Sequence, residues 1–297
     1  MSTLVLLTRR NIRLFFKDLG MLLTSMITPL ILLLLYITFL CNVYRDSFLL
    51  HFGGIAIEEG LINGLVGGQL FSSLLAVSCV TVAFCANLLM AQDKVTGARA
   101  DLLVAPVKRH YLAIGYYAAT LAVTLMIALV AACACFIYMA AEGWYLSVGD
   151  VALILLDILL LVMFGTAFSS VVNYFLATQG QISAVGSIVS SCYGFVCGAY
   201  MPISSFSEGL RNAVAFFPGT HATSLLRNHA LAGALREMEE QNVPTAVIES
   251  IRDSVDCNLY FFGECVSEHM MYAVLIGATL ILFAAFVLIN RFDRRKS

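Results

Sequence analysis

Long apolar segments alternate with short polar segments along the chain. Six apolar segments have the length of a membrane-crossing helix: 19–42, 60–90, 112–141, 151–177, 182–200 and 270–289. A helix needs about 20 mostly apolar residues to cross a bilayer, so the pattern predicts six transmembrane helices. The composition agrees: 60% of residues are hydrophobic and 12% charged, whereas about a quarter are charged in soluble domains. We expect an all-α integral membrane protein with a single transmembrane domain over residues 1–297.

Residues 2–18 predict an amphipathic helix ahead of the first apolar segment. On a 3.6-residue period one side is basic, with Arg9, Arg10, Arg13 and Lys17. The opposite side is apolar, with Leu4, Val5, Ile12, Phe15, Phe16 and Leu19. This pattern is typical of a helix lying in the membrane interface, on the side rich in anionic lipid.

The first two apolar segments carry further signals. Pro29 is expected to kink the first helix, and a polar outer loop containing Arg45, Asp46, His51, Glu58 and Glu59 is expected to follow it. In the second segment, glycines recur at four-residue spacing, which predicts a close-packing face for another helix. These are Gly60, Gly64 and Gly68. The partner helix can belong to the same chain or to a second copy.

Segment 93–109 is the most strongly charged interruption between two long apolar segments. It reads D-K-V-T-G-A-R-A-D-L-L-V-A-P-V-K-R. Gly97 and Pro106 flank a short apolar run, which predicts a small helix at the membrane surface that ends before the proline. Such an element suits a membrane protein that receives a push from a soluble partner.

The basic residues set the predicted orientation. If both termini and segment 93–109 share one side, that side holds 12 of the 17 Lys and Arg residues but four of the 19 acids. Cytoplasmic loops carry the excess of Lys and Arg, so both termini are predicted to be cytoplasmic. We expect a multi-pass plasma-membrane protein.

Residues 204–268 are then predicted to lie outside. Two short apolar helices, 210–217 and 220–234, are expected to enter the membrane and return, and residues 236–268 to form an acidic, solvated cap. Cys257 and Cys265 fall in this cap, where a disulfide is permitted. Their spacing neither requires nor forbids that bridge.

Two polar features lie within the predicted spans. Asp157 is the one acid in a span; it can serve transport or coupling, reach water at the outer end, or form a buried hydrogen bond. Small residues recur every three or four positions in the fifth segment: Ser183, Ser187, Ser190, Ser191, Gly194 and Gly198. That stripe permits close helix contact or lines a pathway.

The sequence lacks the motifs of several common enzyme classes. No G-x-x-x-x-G-K-[ST], H-E-x-x-H or G-x-S-x-G motif occurs, and the five histidines are scattered. We therefore predict no catalytic residues and no ATP hydrolysis by this chain. Seven of the nine cysteines lie in or beside apolar segments, where packing is the expected role. No metal site is predicted, and no basic tract suits nucleic acid.

Segment 93–109 resembles a stretch found in the membrane-spanning subunits of type-2 ATP-binding-cassette exporters, G-T-x-E-x-L-L-x-[AS]-P-[VI]-x-R. Here Gly97 to Arg109 reads G-A-R-A-D-L-L-V-A-P-V-K-R, with Ala98 and Asp101 where Thr and Glu are usual. Further on, Gly198-Ala199-Tyr200-Met201-Pro202, Pro218 and Arg227 resemble the family's G-x-x-x-P…N-P…R run, with Phe217 in place of the Asn.

The resemblance implies a half-transporter in a bacterial plasma membrane. Two copies, or this chain and a related permease, would pair and dock two separate ATPase subunits, which bind ATP and magnesium. The implied ATPase-coupling residues are Asp93, Lys94, Gly97, Arg99, Asp101, Leu102, Leu103, Pro106 and Arg109. The implied dimer or substrate path contains Ser187, Ser191, Gly194, Gly198 and Pro202.

The cargo is less constrained than the architecture. The spans lack acidic pockets and the chain is rich in aromatic residues (11%), which favours a hydrophobic or amphipathic cargo such as a drug, lipid, peptide or toxin. The alternative is a six-span secondary transporter or channel not driven by ATP. That alternative predicts more ionisable groups in the spans or an inverted repeat.

Overall fold

The computed structural model describes residues 3–52, 57–104 and 109–292, and the described chain is almost entirely helical. The helices are α1 (Thr3–Lys17), α2 (Leu19–Leu35), α3 (Cys41–Phe52), α4 (Glu59–Val95), α5 (Ala98–Val104), α6 (Arg109–Glu142), α7 (Val148–Tyr174), α8 (Gln179–Val196), α9 (Glu208–Ala215), α10 (Pro218–Glu240), α11 (Thr245–Ser254) and α12 (Glu268–Phe292). A π-helical turn, Tyr36–Leu40, joins α2 to α3, and a 3-10 turn, Ile203–Ser205, precedes α9. Two short strands, β1 (Tyr260–Phe261) and β2 (Glu264–Cys265), form an antiparallel hairpin.

Five helical stretches in the described part of the chain are long and apolar enough to cross a membrane. They are Leu19–Phe52, Glu59–Val95, His110–Glu142, Val148–Tyr174 and Glu268–Phe292. They agree with five of the predicted spans. The remaining segment forms α8, which has 18 residues and contains enough Gly, Ser and Gln to dilute its hydropathy. The sixth span therefore stays a prediction.

The first span extends further than the sequence indicated. The helix continues through Pro29 and the π-turn into α3, so the predicted outer loop is wrong at Arg45, Asp46 and His51, which are helical. Of the other two loop residues, Glu58 lies outside the helices and Glu59 begins α4. Arg45 reaches the start of α4, donating to Glu59 Oε1 over 2.7 Å. A polar helix end is stable here because its charged side chains lie on exposed or half-exposed positions.

Helix α1 packs on α6 through a face that differs from the predicted apolar side. Leu7, Asn11 and Phe15 are buried there, whereas Val5 and Phe16 remain exposed. The helix thus has one apolar surface against the protein and another directed away from it. The second surface suits the predicted position in the membrane interface, since exposed apolar side chains are stable in lipid.

Helix α4 is the centre of the bundle. Almost all of its side chains are buried, and it contacts α2, α6, α7, α8 and α10. Its glycine face packs within the chain: a Cβ at Gly64 would meet the Tyr145 ring at 2.8 Å, and one at Gly68 would meet the Ala230 carbonyl oxygen at 2.8 Å. The small-residue spacing therefore serves internal packing, one of its two predicted uses.

The outer region departs most from the prediction. The second short helix does not end at residue 234; α10 runs for 23 residues from Pro218 to Glu240 and is buried along most of its length. The predicted cap is accordingly shorter and consists of α11 and the hairpin. Helix α10 continues past residue 234 because Arg236 forms an ion pair with Asp150 on α7, which holds its last turn against the bundle.

Cys257 and Cys265 are both free thiols in the structure. Cys257 is buried and Cys265 is exposed on β2, so the possible disulfide is not formed here. Burial raises the pKa of the Cys257 thiol to about 12, so it remains protonated at neutral pH.

The close approach of α10 to the turn between α6 and α7 yields a test. A Cβ on Gly233 would lie 2.1 Å from the Tyr145 carbonyl oxygen, whereas one on Gly277 of α12 meets nothing within 4 Å. Gly233→Ala is expected to destabilise the protein by about 1–3 kcal/mol through overpacking. Gly277→Ala is expected to be neutral or stabilising by up to about 1 kcal/mol. Thermal unfolding of the purified variants in detergent measures both, and equal melting temperatures would contradict this account of α10.

Candidate functional site

The candidate site is the surface helix α5 with the residues that hold it. Helix α4 ends at Val95, and Gly97 then turns the chain with φ of +85°. This left-handed conformation is accessible to glycine and strained for most other residues. The Ala100 amide donates to the Gly97 carbonyl over 2.8 Å and begins α5. The predicted short helix is therefore present, at Ala98–Val104.

Asp93 anchors the loop to α1 rather than facing outward. Its carboxylate is buried and lies 2.6 Å from Nη1 of Arg10, and it also accepts a hydrogen bond from the hydroxyl of Tyr116 on α6. Burial lowers the pKa of the Arg10 guanidinium, but the hydrogen bond and charge of Asp93 outweigh that effect and raise it. Asp93 thus joins α1, α4 and α6 at the end of α4 that leads into α5.

Lys94 and Arg99 tie the same loop to two more helices. Lys94 Nζ donates to the carbonyl oxygens of Tyr174 and Leu176, each over 3.0 Å, at the end of α7. Cations favour helix C-termini because the last carbonyls lack helical partners. Arg99 lies over the Tyr174 ring and donates to Asn290 Oδ1 of α12 over 3.4 Å.

The rest of α5 divides into a packed side and a free side. Leu102 and Leu103 are half-buried against the apolar cluster shared by α1, α4 and α6. Asp101 is exposed, and Val104 is 87% exposed. Pro106 lies outside the described residues, as does the side chain of Arg109. The predicted coupling set therefore contains internal anchors, packing residues and an outward face.

The structure divides the small-residue stripe of α8. Ser187 and Ser191 are exposed, whereas Gly194 and Gly198 are covered by their own chain. A Cβ at Gly194 would meet the Tyr200 ring at 2.4 Å, and one at Gly198 would meet Ile203 at 2.7 Å. Pro202 is half-buried beside them. These two serines, together with the exposed Ser183, are thus the part of the stripe open to a partner helix or cargo.

Asp157 forms a buried hydrogen-bonded pair. It is 1% exposed, and it contacts His229 Nδ1 of α10 at 2.6 Å and the Tyr272 hydroxyl of α12 at 2.7 Å. The side chain does not reach water, so the snorkelling alternative is wrong. The contacts join three helices near the N-terminal ends of α7 and α12, and a buried carboxylate needs such partners.

Sequence reasoning gave no role to the most buried ion pair. Arg227 on α10 has no exposed surface, and its Nη1 lies 3.0 Å from Asp256 Oδ2. Nη2 donates to the Gly198 carbonyl, while Asp256 accepts from the Ile203 and Ser204 amides over 2.6 and 3.0 Å. Arg227 stood out as the last residue of the motif, but the sequence offered no signal for Asp256. In the described part of the chain, no three His, Cys, Asp or Glu side chains are grouped to hold a metal.

The Arg10–Asp93 contact predicts that replacing Arg10 lowers the stability of the protein more than replacing its neighbour Arg9. Arg10→Ala leaves the buried Asp93 carboxylate without its cation, so the protein should lose about 1–3 kcal/mol of stability. Arg9→Ala, at an exposed position of the same helix, should change stability by less than about 0.5 kcal/mol. Adding Asp93→Asn to Arg10→Ala should recover part of the loss. Thermal unfolding in detergent distinguishes the variants, and equal effects of the two arginines would refute the anchor.

A comparison with known protein families identifies the family to which this chain belongs. No curated protein matches the chain. Residues 2–230 match the family described as ABC-2 type transporter. The matched residues include α1, the surface helix α5 with its anchors, and Arg227 on α10. They make up well over half of the chain. The chain therefore belongs to the ABC-2 type transporter family and is a membrane-spanning permease subunit.

Proposed function

We propose that this chain is the permease half of an ATP-driven exporter, coupled to separate ATPase subunits and moving a hydrophobic or amphipathic cargo. The observation that supports the proposal is the way in which α5 is attached to the helix bundle. Its free face presents Asp101 and Val104, while Asp93, Lys94 and Arg99 connect the loop to α1, α6, α7 and α12. A soluble subunit that seats on α5 can thus move several helices together.

ATP and magnesium belong to the partner subunits in this proposal. The sequence contains no G-x-x-x-x-G-K-[ST] phosphate loop, and the family match supports association with ATP-binding-cassette subunits. A complete transporter would contain two permeases, either two copies of this chain or this chain and a relative. The exposed Ser187 and Ser191 of α8 are small enough to allow close contact with a second permease or to line the substrate path.

The interior supports a hydrophobic or amphipathic cargo rather than an ion. The buried ionisable groups near the outer side form internal contacts: Asp157 with His229, and Arg227 with Asp256. An ion-coupled secondary transporter or channel would use such groups to bind its ion. Their engagement within the chain supports the exporter over that alternative, and leaves drugs, lipids, peptides and toxins as cargo classes.

We further propose that both termini and α5 are cytoplasmic and that the hairpin is outside. The ATPase subunits require α5 on the cytoplasmic side. The excess of basic residues in α1, in segment 93–109 and after α12 supports the same orientation. The exporter would lie in the plasma membrane.

The decisive experiment is the activity of the ABC ATPase encoded beside this chain, measured in lipid with and without the permease. Asp101→Lys combined with Val104→Asp alters the free face of α5 without touching its anchors. The double variant should abolish copurification of the ATPase and reduce permease-dependent ATP hydrolysis by about tenfold or more, since a desolvated interface tolerates a misplaced charge poorly.

The matched control is Glu239→Lys, which reverses an exposed charge at the outer end of α10. It should bind the ATPase and support hydrolysis as the native chain does. Normal coupling in the α5 double variant would show that the segment is only a linker. Loss of coupling in both variants would show that charge reversal acts through folding rather than through docking.

The exposed thiol of Cys265 tests the orientation. A membrane-impermeant maleimide added to intact cells should label the native chain but not Cys265→Ser, because Cys257 is buried and the other exposed thiols, Cys133 and Cys192, lie within predicted spans. Burial raises the pKa of the Cys265 thiol, and the thiolate is the reactive form. Labelling should therefore still accelerate above about pH 8.5, where an ordinary thiol is half ionised. Labelling that needs permeabilised cells would place the hairpin inside.

A further inference from the structure

The outer cap contains a charged groove that the proposed function does not use. It lies between α9 and the hairpin and consists of two adjoining cavities of about 390 and 190 Å³. Arg211 and Tyr260 line both cavities; Glu208 lines the larger and Asp253 the smaller. The larger cavity falls within the range of about 300–1,000 Å³ typical of small-molecule sites.

Arg211 is the cation that lines this groove, and only some of its hydrogen-bond donors have partners. Its Nη2 donates to the carbonyl oxygens of Ser204 and Phe206 over 3.3 and 3.4 Å. Its Nε is buried and has no partner among the described residues. Within the same part of the chain Arg211 forms no ion pair. A guanidinium in this state is suited to a phosphate, which it can bind with several parallel hydrogen bonds.

Two of the three carboxylates that line the groove are also without a cation; the third, Asp256, is already ion-paired with Arg227 on α10. Glu208 is exposed in the first turn of α9. Asp253 accepts hydrogen bonds from Asn258 and Tyr260, over 2.8 and 3.0 Å, which are neutral donors. The groove thus offers one positive and two negative groups that do not pair with one another. A ligand that carries both a phosphate and an amine satisfies both charges.

An exposed aromatic cluster borders the groove. Phe261 packs edge-on against Phe216 and beside Phe262, with ring centroids 4.8 and 4.7 Å apart. Phe216 and Phe262 are nevertheless 67% and 68% exposed. Phe262 has φ of +49°, a conformation that costs a non-glycine residue about 1–2 kcal/mol, and its amide donates to Asn212 Oδ1 of α9. The hairpin tip is therefore held beside the groove with its ring uncovered, as suits contact with acyl chains.

We propose that this groove binds a zwitterionic phospholipid of the outer leaflet through its headgroup. The phosphate lies at Arg211, the primary amine lies between Glu208 and Asp253, and the acyl chains follow Phe216 and Phe262. A soluble molecule with the same phosphoethanolamine group would satisfy the charges but leave the aromatic cluster bare, so the structure favours the lipid. The site is independent of ATPase docking, since it lies on the cap and α5 on the opposite end of α4.

Native mass spectrometry of the full chain in detergent tests the proposal. Phosphatidylethanolamine and phosphatidylglycerol with identical acyl chains are titrated separately. The ethanolamine lipid should bind at least about tenfold more tightly, because only its headgroup carries an amine for the carboxylates. Glu208→Gln should remove that preference, and Arg211→Gln should weaken the binding of both lipids, because both carry the phosphate. Glu239→Gln, at an exposed acid away from the groove, should keep both the affinity and the preference.

Two of the variants make the test decisive. Glu208→Gln changes an exposed side chain, so its outcome stands even if Arg211→Gln weakens the loop that Arg211 supports. Phe262→Ser should weaken binding of the lipid but not of glycerophosphoethanolamine, its soluble headgroup. Equal binding of the two lipids, an unchanged preference in Glu208→Gln, or soluble headgroup binding as tight as lipid binding would overturn the proposal.

Discussion

The ion pair between Arg227 and Asp256 holds together the half of this permease that contains α10 and the hairpin. A guanidinium without exposed surface is stable only if its charge is compensated, and here Asp256 pairs with Nη1 while the Gly198 carbonyl and Ser73 accept from Nη2. These groups come from α4, the end of α8, α10 and the segment before the hairpin. Because removing one partner leaves a buried charge uncompensated, these elements must fold and move as a unit.

A second set of polar contacts does the same at the inner end. Asp93 joins α1, α4 and α6, and Lys94 closes the end of α7. Between the two ends, Asn87 of α4 donates to the hydroxyls of Ser169 and Ser170 on α7, over 3.1 and 2.6 Å. Apolar side chains give little preference for one helix arrangement over another in lipid, whereas each paired polar group fixes which helix lies beside which.

The sequence predicted those features that depend on local pattern. Five spans, the helix at residues 98–104 and the amphipathic first helix follow from hydropathy and period. The pairings could not be predicted, because Arg10 and Asp93 lie 83 residues apart and Asp157 and Tyr272 lie 115 apart. Helix α10 was predicted too short for a related reason: Arg236 and the acids that follow it indicated a solvated cap, and the sequence gave no sign that Arg236 pairs with Asp150 on α7.

The polar contacts also determine how motion could pass through the chain. Helix α4 carries Asp93 at its inner end and Ser73, a partner of Arg227, nearer its outer end. A displacement of α5 cannot leave α4 behind without pulling Leu102 and Leu103 away from the apolar cluster that they share with α1, α4 and α6. A displacement of α4 cannot leave α10 behind, because Gly68 lies directly against the Ala230 backbone. A push on the surface helix can therefore reach α10 through the packing of α5, one continuous helix and the contact between Gly68 and Ala230.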